Sequence, residues 1–359
     1  LSLKTLEISG FRNLKKTSLV LGSGESLVLE GPNGHGKTNF LEALYLLSLT
    51  KSFRTDQTAD LIGFDQPFAR VLCELTSGPK IEAILTREPL RRTFKVNGVI
   101  KSSKEVVGLF PVVFFSPEDS MLVGGEPGFR RKYLNIQISQ VSREYLESLM
   151  AYNETLKQRN ALLKRIQEGQ AKETELEFWD EALVRHGILI AGERQKQIQL
   201  LSKFAPSFYQ KLSGTKDTLE LIYQPSAPLE ADAFMKGLRE RRQKEIMAGI
   251  TLIGPHRDEL LFNLNERPMA AFGSRGEART VVLALKYAEI MALKDRKGEL
   301  PVLLLDDVFS ELDPYRQEML SEHLRGAQTF ITTPHKPAFE MKAGSMRTFS
   351  MLDGALNAL

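Results

Sequence analysis

The loop Gly31-Pro32-Asn33-Gly34-His35-Gly36-Lys37-Thr38 constrains this chain more than any other stretch. The apolar run Ser26-Leu27-Val28-Leu29-Glu30 precedes it and reads as a buried strand. Phe40, Leu41, Leu44 and Leu47 follow at helical spacing, with Asn39 and Glu42 off that face. Strand, loop and helix in that order also carry a chemistry. Glycines let successive backbone N–H groups turn inward around phosphate oxygens. Lys37 is placed to neutralise the β- and γ-phosphates, and the Thr38 hydroxyl to ligate Mg²⁺. A glycine-rich turn without a ligand is the bland alternative, and the order of the flanking elements disfavours it. Residues Gly31, Pro32, Asn33, Gly34, His35, Gly36, Lys37 and Thr38 are therefore the expected nucleoside-triphosphate contacts.

With 359 residues the chain can hold a large core and more than one domain. Its longest apolar runs fall short of a bilayer, and its N-terminus has no signal-peptide pattern. One cysteine, Cys73, leaves no internal disulfide and points to a reducing compartment; within Val71-Leu72-Cys73-Glu74-Leu75 it reads as a buried strand residue. A cytoplasmic protein without a membrane partner is expected. The net charge of +3 is too small to argue nucleic-acid binding by itself. Three basic clusters are candidates for phosphate contact: Arg91-Arg92, Arg130-Arg131-Lys132 and Arg239 to Lys244. Most such runs are solvated helix faces.

Strand patterns occupy Leu3 to Phe11, Leu19 to Leu21, Val71 to Leu75, Ile81 to Leu85 and Val112 to Phe115. Asn97-Gly98 marks a tight hairpin, because that turn needs positive φ. From Phe129 the period becomes helical: Leu134, Ile138, Val141, Tyr145, Leu149, Tyr152 and Leu156 form a seam that predicts one helix to Ile166, about 55 Å long. Glu168-Gly169-Gln170 breaks it, and Leu176, Trp179, Leu183, His186 and Ile190 predict a returning helix with His186 at its core or boundary. Strands are expected at Leu219 to Tyr223, Leu260 to Leu264, Val302 to Leu305 and Phe330 to Thr332, with helices near Gly276 to Lys294 and Pro314 to Leu324. The fold class is thus α/β, a sheet with helices on its faces built from both ends of the chain. Residues 1–125 and 250–359 form one domain, and residues 126–249 an inserted, mainly helical arm.

Pro301-Val302-Leu303-Leu304-Leu305-Asp306-Asp307 is an apolar strand tipped by two carboxylates. Beside a phosphate loop, Asp306 is placed to hold Mg²⁺ through its water shell and Asp307 to orient or activate the attacking water. Alone, the pair could be an acidic turn. Ser274 and Glu277 make an S-x-x-E capping box at a helix start, which also suits a triphosphate. The two readings are compatible.

Together these segments resemble the SMC-like group of ATP-binding-cassette ATPases. Gly31 to Thr38 is similar to the Walker A loop, Val302 to Asp307 to the Walker B strand, Ser310 to Asp313 to the D-loop and Gly273 to Glu277 to the signature loop. Phe11-Arg12-Asn13, Ser52-Phe53-Arg54-Thr55, Gly254-Pro255-His256-Arg257-Asp258 and Leu304 to Asp313 narrow the resemblance to the RecF family of DNA-repair proteins, over nearly the whole chain. The resemblance implies an ATPase head with an inserted helical arm, Mg²⁺ and ATP as cofactors, and an ATP-dependent homodimer. In that dimer Ser274 and Gly276 would contact the partner's triphosphate, and Arg12 would reach the nucleotide. It also implies weak ATPase activity with Asp307 catalytic, binding to gapped or single-strand/double-strand junction DNA, and work with RecO and RecR in loading RecA.

The chain departs from the family pattern at several points. Glu277 stands where the signature often has Gln, and Asp307 where many relatives have Glu. Ser116-Pro117-Glu118-Asp119 offers no Q-loop glutamine, and His335 is the one switch-histidine candidate. A transporter ATPase subunit shares the loop, strand and signature but not the helical insertion; a small-molecule P-loop kinase leaves Gly273 to Glu277 without a role.

Overall fold

The computed structural model describes residues 1–76, 78–334 and 346–359. They form two compact units, Leu1–Asp119 with Glu289–Leu359, and Ser120–Ala288. The arm expected at 126–249 lies within the second unit, which also takes in residues 250–288.

The first unit holds two six-stranded sheets. In one, Ser26–Glu30 pairs in parallel with Thr329–Thr333 on one side and Met346–Leu352 on the other. Val302–Asp306 continues the sheet beside Thr329–Thr333, and Val112–Phe115 follows it, both parallel. Val302–Asp306 and Thr329–Thr333 are buried along their whole length, which explains the apolar run Val302 to Leu305 and the lack of charged residues in Thr329–Thr333. An antiparallel hairpin, Met346–Leu352 with Ala355–Ala358, closes one edge. The other sheet is antiparallel, with Leu3–Ser9 between Thr17–Val20 and Phe68–Leu75. Lys80–Thr86, Arg91–Val96 and Val99–Lys101 extend it. Asn97 and Gly98 turn its last hairpin at φ 51° and 82°, as the dipeptide predicts. Helix Lys37–Leu49 is covered nearly all round, so its apolar residues need no single stripe.

The second unit contains helices Pro127–Ser139, Arg143–Gln167, Leu176–Ser213 and Ala231–Ala248. A three-stranded antiparallel sheet has Glu259–Leu264 between Leu219–Gln224 and Arg267–Pro268. The single helix predicted from Phe129 to Ile166 is two helices. Ser142 breaks it by acting as N-cap, its hydroxyl accepting from the Tyr145 N–H, a local bond that competes with helical continuation. The returning helix runs further than predicted, to Ser213 and through Pro206. His186 is half-buried, at a boundary.

Sequence periodicity places Arg159 inside a helix but not its role. Its guanidinium, wholly buried, donates to Asp180 at 2.8 Å, Glu245 at 2.7 Å and the Thr251 hydroxyl at 2.8 Å. Gly254-Pro255-His256-Arg257-Asp258 is a second buried hub. Asp258 accepts from Arg194 at 2.7 Å, from the Ser226 N–H at 2.8 Å and from the Tyr223 hydroxyl. His256 Nε2–H donates to the Thr251 carbonyl at 3.1 Å, so Nδ1 accepts from the Tyr152 hydroxyl at 2.7 Å. Burial holds the His256 pKa down to about 4. This motif, which sequence chemistry leaves without a role, ties the helices of its unit to the three-stranded sheet.

Candidate nucleotide site

The strand Ser26–Glu30 ends at the loop, and Gly36 caps the following helix at φ 107°. That left-handed conformation is costly for a residue with a Cβ, and it turns the loop back over its own helix N-terminus. Lys37 folds over the loop: its ammonium donates to the carbonyls of Gly31 at 2.5 Å and Pro32 at 2.9 Å. Desolvation lowers the Lys37 pKa, opposed by the nearby charges of Asp307 and Asp306. Carbonyl dipoles compensate a buried cation only in part.

The Thr38 hydroxyl donates to Asp306 Oδ1 at 2.9 Å across 268 positions of sequence. The loop and the acidic strand tip are therefore one site. Thr332, on the neighbouring strand, was not singled out by sequence. Its hydroxyl donates to the same Asp306 oxygen at 2.7 Å and accepts from the Asp307 N–H at 3.0 Å. Asp307 sits at φ 53°, a region that few non-glycine residues occupy. Its Oδ1 is buried with no hydrogen-bond partner among the described residues. A strained acid with an unpartnered oxygen is stable only where its surroundings hold it, and such residues concentrate at functional sites. The sequence signal for Thr332 is the polar pair Thr332-Thr333 that ends the strand after Phe330 and Ile331.

Arg12 sits at φ 51° and donates through Nε and Nη2 to both oxygens of Glu42, each at 2.8 Å. Glu42 is fully buried and also accepts from Ser52 at 2.5 Å. This pairing explains a glutamate inside an otherwise apolar helix. Asn13 reaches the loop itself, its Nδ2 donating to the Gly34 carbonyl at 3.3 Å. Asn39 donates to Asn13 Oδ1 at 2.7 Å and accepts from Arg54 at 2.8 Å, so Arg54 is tied to the start of the loop's helix. Pro32, Asn33 and Gly34 are exposed. His35 Nδ1 accepts from the Asp353 N–H at 3.0 Å.

In the second unit Ser274 and Glu277 form the anticipated capping box. The Ser274 N–H donates to Glu277 at 2.7 Å, and the Glu277 N–H to the Ser274 hydroxyl at 3.3 Å. The backbone N–H of Ser274 lowers the Glu277 pKa, with help from its hydroxyl. Ser274 and Gly276 are exposed, as is Phe272 before them. Ser116-Pro117-Glu118-Asp119 closes a short turn in which the Ser116 N–H donates to Asp119 at 2.7 Å. His335 lies outside the described residues.

The basic clusters divide. Arg130 is buried and donates to Glu259 at 2.6 and 2.9 Å and to the carbonyls of Leu122 and Gly125. Arg92 donates to the Thr58 hydroxyl and the Asp56 carbonyl, and Arg242 to Asp180. Arg91, Lys132, Arg239, Arg241 and Lys244 are exposed.

Residues 2–355 match the model of the RecF/RecN/SMC N-terminal domain family. The chain is 38% identical over 343 residues to the DNA replication and repair protein RecF of Shouchella clausii, spanning 92% of this chain and 91% of the relative. It is 39% identical over 336 residues to RecF of Moorella thermoacetica, spanning 93% and 90%. A solved structure of the recombination mediator protein RecF with ATP in the RecFOR pathway superposes with a TM-score of 0.90 at 36% identity, covering 99% of this chain and 97% of that one. The Smc head domain of Pyrococcus furiosus, 16% identical with a TM-score of 0.57 over 99% of this chain and 95% of that one, shares the fold.

Proposed function

The chain belongs to the RecF family of DNA replication and repair proteins, and from that premise we propose that it is an ATP-gated DNA-binding protein of recombinational repair. The observation that carries the reading is the Thr38–Asp306 hydrogen bond, which joins the phosphate loop to the acidic strand tip. A RecF relative of the same fold has been solved with ATP, and the residues here suit that ligand. Lys37 would exchange the Gly31 and Pro32 carbonyls for phosphate oxygens. Among the described residues no three acidic, histidine or cysteine side chains gather into a metal cage. Mg²⁺ would therefore rest on Thr38, on Asp306 through water, and on the phosphates, and its role is to offset the charge of the leaving phosphate.

Asp307 is the residue to orient the attacking water. It is held by Thr332 and one methylene shorter than glutamate, which suits slow hydrolysis. Arg12 is paired with Glu42 through Nε and Nη2, and would reach the nucleotide through its remaining guanidinium nitrogen. ATP would join two copies, with Ser274 and Gly276 of each closing on the triphosphate held by the other. Such a dimer would grip gapped or junction DNA through its exposed basic residues, with steep salt dependence and little base preference. RecR and RecO are the partners in loading RecA, and the compartment is the cytoplasm. No helix among the described residues is long and apolar enough to cross a membrane.

Light scattering with and without ATP and gapped DNA tests the reading. The parent chain should double in mass with ATP, whereas Lys37→Ala should stay monomeric and lose ATP-dependent DNA binding. Ser274→Arg should block dimerisation and spare nucleotide binding by the monomer. A parent that remains monomeric at saturating ATP and DNA contradicts the proposal.

A further inference from the structure

The phosphate loop has a second support that its own sequence does not reveal. The strand Met346–Leu352 runs parallel to Ser26–Glu30, Ser350 opposite Glu30, and so delivers the hairpin turn Asp353-Gly354 to the loop. There the Gly354 N–H donates to the His35 carbonyl at 3.1 Å, and the Asp353 N–H to His35 Nδ1 at 3.0 Å. The Gly354 carbonyl accepts from the Lys15 N–H at 2.9 Å. One turn thus holds both the loop and the 11–16 segment, whose Asn13 in turn donates to Gly34.

Gly354 is required by this geometry. Its φ is 74°, and a Cβ would overlap the Asn13 carbonyl. His35 Nδ1 accepts the Asp353 N–H, and the Asp353 carboxylate lies 3.2 Å from the same ring nitrogen.

We infer that the hairpin turn Asp353-Gly354 is a positioning element for the nucleotide, holding the phosphate loop in its receptive shape through His35. The inference rests on the proposed nucleotide function and goes beyond it, because it makes a distant segment of sequence set the affinity. A loop already shaped for its ligand loses less entropy on binding, so loosening it weakens binding without removing a single phosphate contact. His35 acts here through its ring nitrogen and its carbonyl; neither points to a ligand-binding role for the imidazole itself.

The test is titration of a fluorescent N-methylanthraniloyl-ATP with Mg²⁺ into the full chain. His35→Phe removes the ring acceptor and should weaken binding about fivefold, the usual worth of one hydrogen bond. His35→Asn places an amide oxygen near the Nδ1 position and should recover most of that loss. Gly354→Val should weaken binding roughly tenfold or more, from the left-handed backbone together with the overlap of its Cβ with the Asn13 carbonyl. Amide hydrogen exchange in nucleotide-free protein gives a second readout: His35→Phe should speed exchange at Asp353, and His35→Asn should not. Equal affinity for His35→Phe and parent, or equal losses in His35→Phe and His35→Asn, would overturn the inference. A parent that binds no analogue would instead sink the nucleotide reading, and this one with it.

Discussion

The phosphate loop of the first unit and the interior of the second both keep charged side chains from water, and they treat them oppositely. Around Arg159 each oxygen of its two carboxylate partners accepts a hydrogen bond. Asp180 takes Arg159 and Arg242, and Glu245 takes Arg159 and the Leu252 N–H. At the loop, Lys37 holds only neutral carbonyls, and one oxygen of Asp307 has no partner among the described residues. Carboxylates satisfied in this way hold a shape, although Arg242 Nε beside them has no partner among the described residues. An incomplete network leaves room for a charged ligand to complete it.

The contrast can be broken most forcefully at Arg159. Arg159→Met leaves the buried Glu245 without a cation and Asp180 with Arg242 alone, and should cost about 3–5 kcal/mol, read as a lowered urea midpoint for the second unit. A loss below about 1 kcal/mol would mean the network is not what holds those helices together.

A smaller effect sharpens the same comparison through pH. His256 has a folded pKa of about 4, below its unfolded value near 6.5, because burial disfavours the charged ring. Between those values the unfolded chain binds the extra proton, so stability falls as pH drops from about 6.5 toward 4. At pH 5 the loss should be about 2 kcal/mol relative to pH 7. His256→Gln should remove that part of the slope in urea titrations at the two pH values. An unchanged slope would show that His256 is not the group responsible.

A smaller effect still in this comparison lies at the loop's neighbour. Thr332→Val keeps shape but removes the hydroxyl that bridges Asp306 and Asp307. Turnover should fall about tenfold with KM nearly unchanged, and Thr332→Ser should restore it. A change in KM alone would assign Thr332 to binding.

What the sequence discloses follows from the range of the interactions. The loop, its strand and helix, the acidic tip and the Asn97-Gly98 hairpin are local patterns, and the structure forms each of them. Ser274 and Glu277 pair as their spacing predicts. The break at Ser142 escaped the apolar period because one side-chain cap overrode it. Arg159 carries no local signal of its burial because Glu245 lies 86 positions away. Helix Ala231–Ala248 read only as a basic run, and the hairpin Met346–Ala358 carries weak alternation and no motif. The Gly254 to Asp258 hub depends on Arg194, Tyr223 and Tyr152, partners that no local pattern announces.

Calorimetric titration of Mg²⁺-ATP into the parent and Lys37→Ala, with urea unfolding of both, tests the central contrast most directly. Affinity should fall roughly a hundredfold or more in the variant, while stability in the absence of nucleotide holds or rises slightly. Equal affinity, or a loss of stability as large as that of Arg159→Met, would contradict the account.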